Sequence, residues 1–493
     1  MAIGAQSVPM RWAAGPLDIA RRQKRKNFTA EKAEVLRQWQ DPSLLVLVKG
    51  TPVNCLVVSW ASGGSEDAEQ QQALKPLLEG ARQAGLDLVG LIEGPADTGV
   101  AIAAARSAGL SAVAMEAVPS GDAGIPVIAW AKSGEALWGA NAPVLGVSDG
   151  FWPGVPQEKV PTGGPTNLPW VDSNGALLAI AQARAPNKPI WIVAEAPAQA
   201  KPTVENYLLA IADSETYGGR WLISLDDQMR ADLAAKSTQA VEAWQKVTDA
   251  LAFFERNKAT AAHERMGRLA VVSNFAEPDR FFGEDALNLL PRLREPFRVF
   301  SRTQALTASF QDLQGILYAD EEPPVPELLR KLTAFVKRGG TLFVRSKWPS
   351  PEGAPMQLSS AEAYLLFNVH SLGKGRLAVA REDKPDTYFA CMDIQIIMSH
   401  RGDPARLYNG SSMNYLYQAS SPSRQGVIHV LNYSRRPGSD NALVYLKTPC
   451  RSALFVSPEL ASPVALQLIP QEAGGVELSL PRFSVYGAVQ VEA

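Results

Sequence analysis

Between residues 53 and 226 the chain alternates nearly unbroken apolar runs with helix-like stretches, and this alternation limits its fold more than any other feature. The runs are Val53–Trp60, Leu86–Glu93, Ser111–Glu116, Pro126–Trp130, Pro143–Asp149, Pro189–Glu195 and Trp221–Asp226. A strand with one wet face would alternate apolar and polar residues. Unbroken runs belong to a parallel sheet covered on both sides. Helices are expected over about 66–84, 97–108, 173–185, 202–214 and 228–257. The segment Gly85-Leu-Asp-Leu-Val-Gly-Leu91 is echoed by Gly109-Leu-Ser-Ala-Val-Ala-Met115, which marks two regular returns from helix to strand. Leu44–Val48 reads as a further strand. Seven or eight such units in this length fit a β/α (TIM-like) barrel better than an open doubly wound sheet. No Gly-x-Gly-x-x-Gly follows an early strand, so a dinucleotide fold has little support.

The remaining chain divides into two further patterns. A polar, small-residue stretch near 258–267 precedes a second α/β series: Arg268–Ser273, Phe297–Phe300, Gly315–Asp320 and Gly339–Val344. It reads as a flavodoxin- or amidotransferase-like α/β domain. Beyond about 400 the period falls to two, in short runs separated by turn residues, as in an antiparallel β-sandwich. The expected domains are 1–260, a barrel with an N-terminal extension; 267–395, the α/β domain; and 400–493, the sandwich.

Composition narrows the function classes. The formal net charge of the 493 residues is −2, and no basic stripe marks a nucleic-acid partner. The one basic run, Arg21-Arg22-Gln23-Lys24-Arg25-Lys26, reads as the solvated end of a helix. No apolar run nears the ~20 residues needed to span a membrane. The N-terminus lacks the pattern of a secretion signal, which leaves a processed secreted or periplasmic form open. Cys55, Cys391 and Cys450 form no CxxC pair. The four histidines are scattered, so neither a zinc site nor another cofactor is expected. The α/β domain has no cysteine on a sharp turn and no GxSxG elbow, so no nucleophile is expected there.

Chemistry in a β/α barrel gathers at the C-terminal ends of the strands. The acids found there are Glu93, Glu116, Asp149, Glu195 and the pair Asp226–Asp227. Glu195 follows Pro189-Ile-Trp-Ile-Val-Ala and is the leading candidate. Cleavage of a glycosidic bond takes two carboxylates, one to protonate the leaving oxygen and one to attack or to activate water. Glu116 and Asp149 are the candidate catalytic partners. Glu93 and Asp226 are expected nearer the substrate, although Asp226 is also placed to cap a helix. An indole can cover the apolar face of a sugar ring. Trp60, Trp152 and Trp170 are expected to do so, while Trp130 and Trp191 are assigned to core packing.

This order of barrel, amidotransferase-like domain and β-sandwich resembles the clan of retaining glycoside hydrolases that includes microbial β-galactosidases with a trimerisation domain. The resemblance is architectural and covers about 45–493. It implies an oligosaccharide or glycoside as substrate, no cofactor, and self-association through the accessory domain. It also implies a proton donor after the fourth strand and a nucleophile after the seventh. Counting from Leu44–Val48, these are Glu116 and Glu195. The family's donor normally follows an Asn, whereas Met115 precedes Glu116 here. If Leu44–Val48 instead pairs as a hairpin with Val53–Trp60, the count shifts and Asp149 becomes the donor. A protein that keeps the barrel but not the paired acids would bind carbohydrate without cleaving it.

Overall fold

The computed structural model describes residues 3–24, 28–155, 173–197, 200–258, 263–349, 353–358, 363–410, 412–420, 425–437 and 441–492. Two compact units form. One is Met1–Gly163 with Asn187–Lys258, and the other is Gly164–Pro186 with Ala259–Ala493.

The first unit is a parallel β/α barrel. Its strands are β1 (Pro9–Arg11), β2 (Cys55–Ala61), β3 (Asp87–Ile92), β4 (Ala112–Met115), β5 (Val127–Ala131), β6 (Leu145–Val147), β7 (Ile190–Ile192), β8 (Arg220–Trp221) and β9 (Ile223–Ser224). The hydrogen-bonded order is β8-β7-β6-β5-β4-β3-β2-β1-β9. Because β8 and β9 are halves of one strand broken at Leu222, the sheet closes on itself with eight strand positions. Alternate side chains fill the interior: Cys55 and Val57, Val89 and Leu91, Ala112 and Ala114, Ile128, Trp191 and Leu222. Their neighbours Leu56, Val58, Leu88 and Val113 are equally buried on the outer side. Burial on both faces is why the strands carry almost no polar residues.

The first strand is not where the apolar pattern placed it. Pro42–Leu47 is a 3-10 helix started by Asp41, whose carboxylate accepts from Ser43 N, with Pro42 in its first turn. Leu44 and Leu45 are buried while Val46 is 65% exposed, which does not fit a two-residue period. The strand that closes the barrel is Pro9–Arg11, which pairs in parallel with Cys55–Val57 on one side and Ile223–Ser224 on the other. A three-residue strand starting in proline and ending in arginine carries almost no hydropathy signal. Pro9 is tolerated because it is the first residue of the strand. The hairpin alternative is thereby removed. Glu116 still follows the fourth strand and Glu195 the seventh.

The second unit contains a mixed sheet and a sandwich. In the sheet, Leu269–Val272, Phe297–Phe300, Gly315–Tyr318, Thr341–Val344 and Gly375–Ala380 are parallel, in the spatial order second, first, third, fourth, fifth. That is the flavodoxin-like order. An antiparallel edge follows, formed by Phe367–Leu372 and Ala354–Pro355. Helix Gly175–Arg184, read from sequence as a barrel helix, groups with this unit. Its Arg184 Nη1 donates to Asn274 O at 2.9 Å. The C-terminal strands form a six-stranded and a four-stranded antiparallel sheet. Ile428, Val430, Phe455 and Val489 from one share a core with Leu407, Val444 and Leu478 from the other.

His429 lies in this sandwich with both ring nitrogens engaged. Nδ1 is 2.7 Å from the Tyr486 hydroxyl and Nε2 is 3.0 Å from Gln418 Oε1. Burial, aided by the charges of His263 and Arg265, lowers its pKa to about 4. The folded state therefore keeps the ring neutral, while the unfolded chain takes up a proton below about 6.5. This contribution is fully present above pH 6.5 and is lost as pH falls towards 4. Its size is on the order of 3 kcal/mol. Urea unfolding across this range should show His429→Gln with a flatter stability profile than the native chain.

Candidate active site at the C-terminal rim of the barrel

A cavity of about 310 Å³ opens among strand ends, lined by Arg11, Arg21, Glu93, Trp130, Glu195 and Ser224 together with neighbouring apolar atoms. Arg11 and Ser224 end their strands, Trp130 lies next to the end of β5, and Glu93 and Glu195 follow β3 and β7. The cavity is therefore on the C-terminal face. Arg21, Glu93, Trp130 and Glu195 come after or from β1, β3, β5 and β7, the odd positions of the barrel. Alternate strands of a barrel project side chains into the same layer, which explains how residues so distant in sequence meet. β3 and β7 are four positions apart, so their two glutamates face each other across the ring.

One guanidinium joins these glutamates. Arg21 Nη2 is 3.1 Å from Glu195 Oε1, and Nη1 is 3.7 Å from Glu93 Oε2. Burial alone would lower the arginine's pKa, but the charges of Glu195, Glu93 and Asp18 outweigh it and raise it. Arg21 belongs to the basic run read from sequence as solvated. It lies in the last turn of helix Pro16–Gln23, which directly follows β1; Arg22 is buried, and the partly exposed Arg21 reaches the cavity. Asp18, Arg21 and Arg22 are three to four residues apart and share one side of this helix. That spacing was the available signal, hidden by the lysines and arginine after it. Arg22 pairs with Asp227, which also takes Lys32 at 3.3 Å and the buried Arg230 at 3.1 Å. Burial first, then the charge of Arg22, lowers Arg230 to about 10, against the opposing pull of Asp227 and Glu195.

Arg11, which lines the cavity, belongs to a buried polar network. Arg11 Nη2 donates to Asp18 Oδ1 at 2.7 Å and to Ser59 Oγ at 2.5 Å, and Nη1 donates to Val57 O at 3.0 Å. Asp18 Oδ2 accepts from Ala14 N at 2.9 Å. Gln70, fully buried, accepts from Leu17 N and donates to Ala14 O and Ser59 O. Gly15, at φ +87°, adopts a backbone conformation that favours glycine, and a Cβ there would collide with Gln70 Oε1 at 2.4 Å. The helix that carries Arg21 is thus pinned at its start.

The other residues singled out from sequence lie elsewhere. Glu116 follows β4, is exposed, and makes no hydrogen bond or ion pair among the described residues. Asp149 accepts from Ser133 N at 2.9 Å and from Ser133 Oγ at 2.6 Å, tying two rim loops together. Asp226 is buried. It caps helix Asp227–Ala234 at Gln228 N and Met229 N and accepts from the Tyr207 hydroxyl at 2.7 Å. Trp60 and Trp152, expected to face a ligand, are each 1% exposed. Their indole N–H groups donate to Ala101 O and Asn206 O. Trp170 lies outside the described residues. Among the described residues, the indole that lines the cavity is Trp130, assigned from sequence to the core, against which it also packs. It packs over Gly146, its register partner on β6, where a Cβ would come within 2.8 Å of the ring. A glycine inside a short apolar strand beside a tryptophan is the trace of that contact in the sequence.

The fold is shared with solved multidomain glycoside hydrolases. Among solved structures it is similar to a catalytic mutant of Gan42B, a GH42 β-galactosidase from G. stearothermophilus. The TM-score is 0.57 at 9% identity, covering 99% of both chains. A second Gan42B structure gives 0.53, again at 9% identity and 99% of each chain. α-L-Fucosidase isoenzyme 2 from Paenibacillus thiaminolyticus gives 0.48 at 12% identity, over 92% of this chain and 80% of that one. At such identities the likeness is one of fold. No family profile and no curated protein matches the sequence.

The network makes a quantitative prediction. Asp18→Asn leaves the buried Arg11 without its counter-charge and should cost about 3–5 kcal/mol of stability. Urea unfolding measures this. A loss below about 1 kcal/mol would mean that Arg11 does not depend on Asp18.

Proposed function

We propose that the protein hydrolyses a glycosidic bond of an oligosaccharide or glycoside in the rim cavity, with Glu195 as nucleophile and Glu93 as general acid. The observation that carries this reading is the convergence of these two glutamates from opposite strands in one cavity with Trp130. The roles follow from their unequal hold on Arg21. The closer cation, at 3.1 Å, favours an ionised Glu195, as a nucleophile requires. The Glu93 contact is longer, at 3.7 Å, and Glu93 is assigned the acid role. Glu195 attacks the anomeric carbon as the glycosidic C–O bond breaks, and Glu93 protonates the departing oxygen. Water then cleaves the glycosyl ester with Glu93 as base, so the anomeric configuration is retained. Trp130 offers its face to the sugar ring.

A specific observation also favours a second reading, binding without cleavage. Arg21 contacts both carboxylates, and a guanidinium beside an acid opposes the raised pKa that a proton donor needs.

A panel of aryl glycosides combined with a glycan array separates the two. Under the hydrolytic reading, Glu195→Gln abolishes turnover and keeps the fold. Glu93→Gln loses roughly 10²–10⁴-fold, with a smaller loss on aglycones that leave readily. Glu116→Gln stays near the native rate. A large loss in Glu116→Gln with an active Glu93→Gln would move the acid role to the fourth strand. Glycan binding without turnover by the native chain would establish the second reading.

A further inference from the structure

The second unit contains a buried cluster that the rim site does not use. Glu295 lies between helix Arg280–Arg292 and strand Phe297–Phe300 of the mixed sheet. His400 and Asp403 lie between helix Thr387–Met398 and Ala405–Tyr408, a strand of the sandwich. One ligand atom from each of the three lies within 4.8 Å of the others. Histidines scattered along the sequence hid this grouping.

We infer that Glu295, His400 and Asp403 form a site for a divalent transition-metal cation such as Zn²⁺, clipping the mixed sheet to the first strand of the four-stranded sandwich sheet. The Glu295 side chain is fully buried, and neither carboxylate oxygen has a hydrogen-bond partner among the described residues. A buried carboxylate without such bonds is costly, so its oxygens call for a cation or a donor. The nearest cation is Arg268, but its Nη2 stands 3.5 Å from Glu295 Oε1, beyond a good hydrogen bond. The other donors of Arg268 are committed. Nε faces Asp403 Oδ1 at 2.6 Å, Nη1 serves Met398 O and Gln314 Oε1, and Nη2 serves Ser399 O. One guanidinium is thus shared between two buried carboxylates.

The donor set suits the cation. Two carboxylates and an imidazole are ligands that Zn²⁺ accepts at ~2.0–2.2 Å, in tetrahedral geometry with a fourth position for water. His400 Nδ1 and Asp403 Oδ2 are already 2.7 Å apart. A cation replacing the proton between them would open that gap to roughly 3.4 Å and draw in Glu295 as third ligand. Gln395 contacts His400 Nε2 at 3.2 Å and steadies the ring from its far side. Arg268 holds Asp403 by its other oxygen, as an outer partner does for a ligating carboxylate.

The test uses the full chain, stripped with a chelator and titrated with ZnCl₂ by calorimetry, with Co²⁺ absorption as a second readout of ligand geometry. The expected result is one saturable Zn²⁺ per chain, a raised Tm, and binding at least tenfold weaker in both Glu295→Gln and His400→Gln. Glu295→Gln is nearly isosteric, and circular dichroism checks that it folds. Should His400→Gln not fold, Glu295→Gln decides alone. The absence of saturable binding in the native chain, or binding unchanged by Glu295→Gln, would overturn the site.

Discussion

The buried pair between Arg11 and Asp18 is the contact on which the rim depends. Arg11 ends the strand that closes the barrel, and Asp18 lies on the helix that carries Arg21. A charge pair this deep contributes less net stability than its geometry suggests, because both ions have lost their water. Its value is positional. Arg11 ties helix Pro16–Gln23 to the barrel through Asp18, with Ser59 bonded to Arg11 and Gln70 bonded to Ala14 O and Ser59 O. Arg21 then has a fixed place above the strands, and the two glutamates of the cavity are set on either side of it.

The architecture was legible because it rests on burial over many residues. Doubly buried strands, the returns from helix to strand, and the change to a two-residue period near 400 all leave long compositional traces. The closing strand was not legible. Pro9–Arg11 is short, and its arginine is inside only because Asp18 is there to meet it. The Leu44–Val48 run shows the converse error: apolar residues packed in a 3-10 turn resemble a strand when only hydropathy is read.

The site was legible one residue at a time but not as a set. Glu195 and Glu93 could be named from their strand-end positions. That they meet follows only from strand counting around a closed ring, which places β3 opposite β7. Arg21 was hidden in a basic run, and Trp130 among other tryptophans. Trp60 and Trp152 show why an aromatic beside a strand is a weak pointer: an indole whose N–H finds a backbone carbonyl packs inward as readily as it faces a ligand.

The proposed nucleophile is Glu195, in the cavity opposite Glu93. The most direct measurement is covalent trapping. The chain is incubated with the 2-deoxy-2-fluoro analogue of the best-cleaved aryl glycoside, and the labelled peptide is sequenced by mass spectrometry. The account predicts one glycosyl adduct per chain, carried by Glu195. A label on another carboxylate, or release of the aglycone with inverted configuration and no adduct, would contradict it.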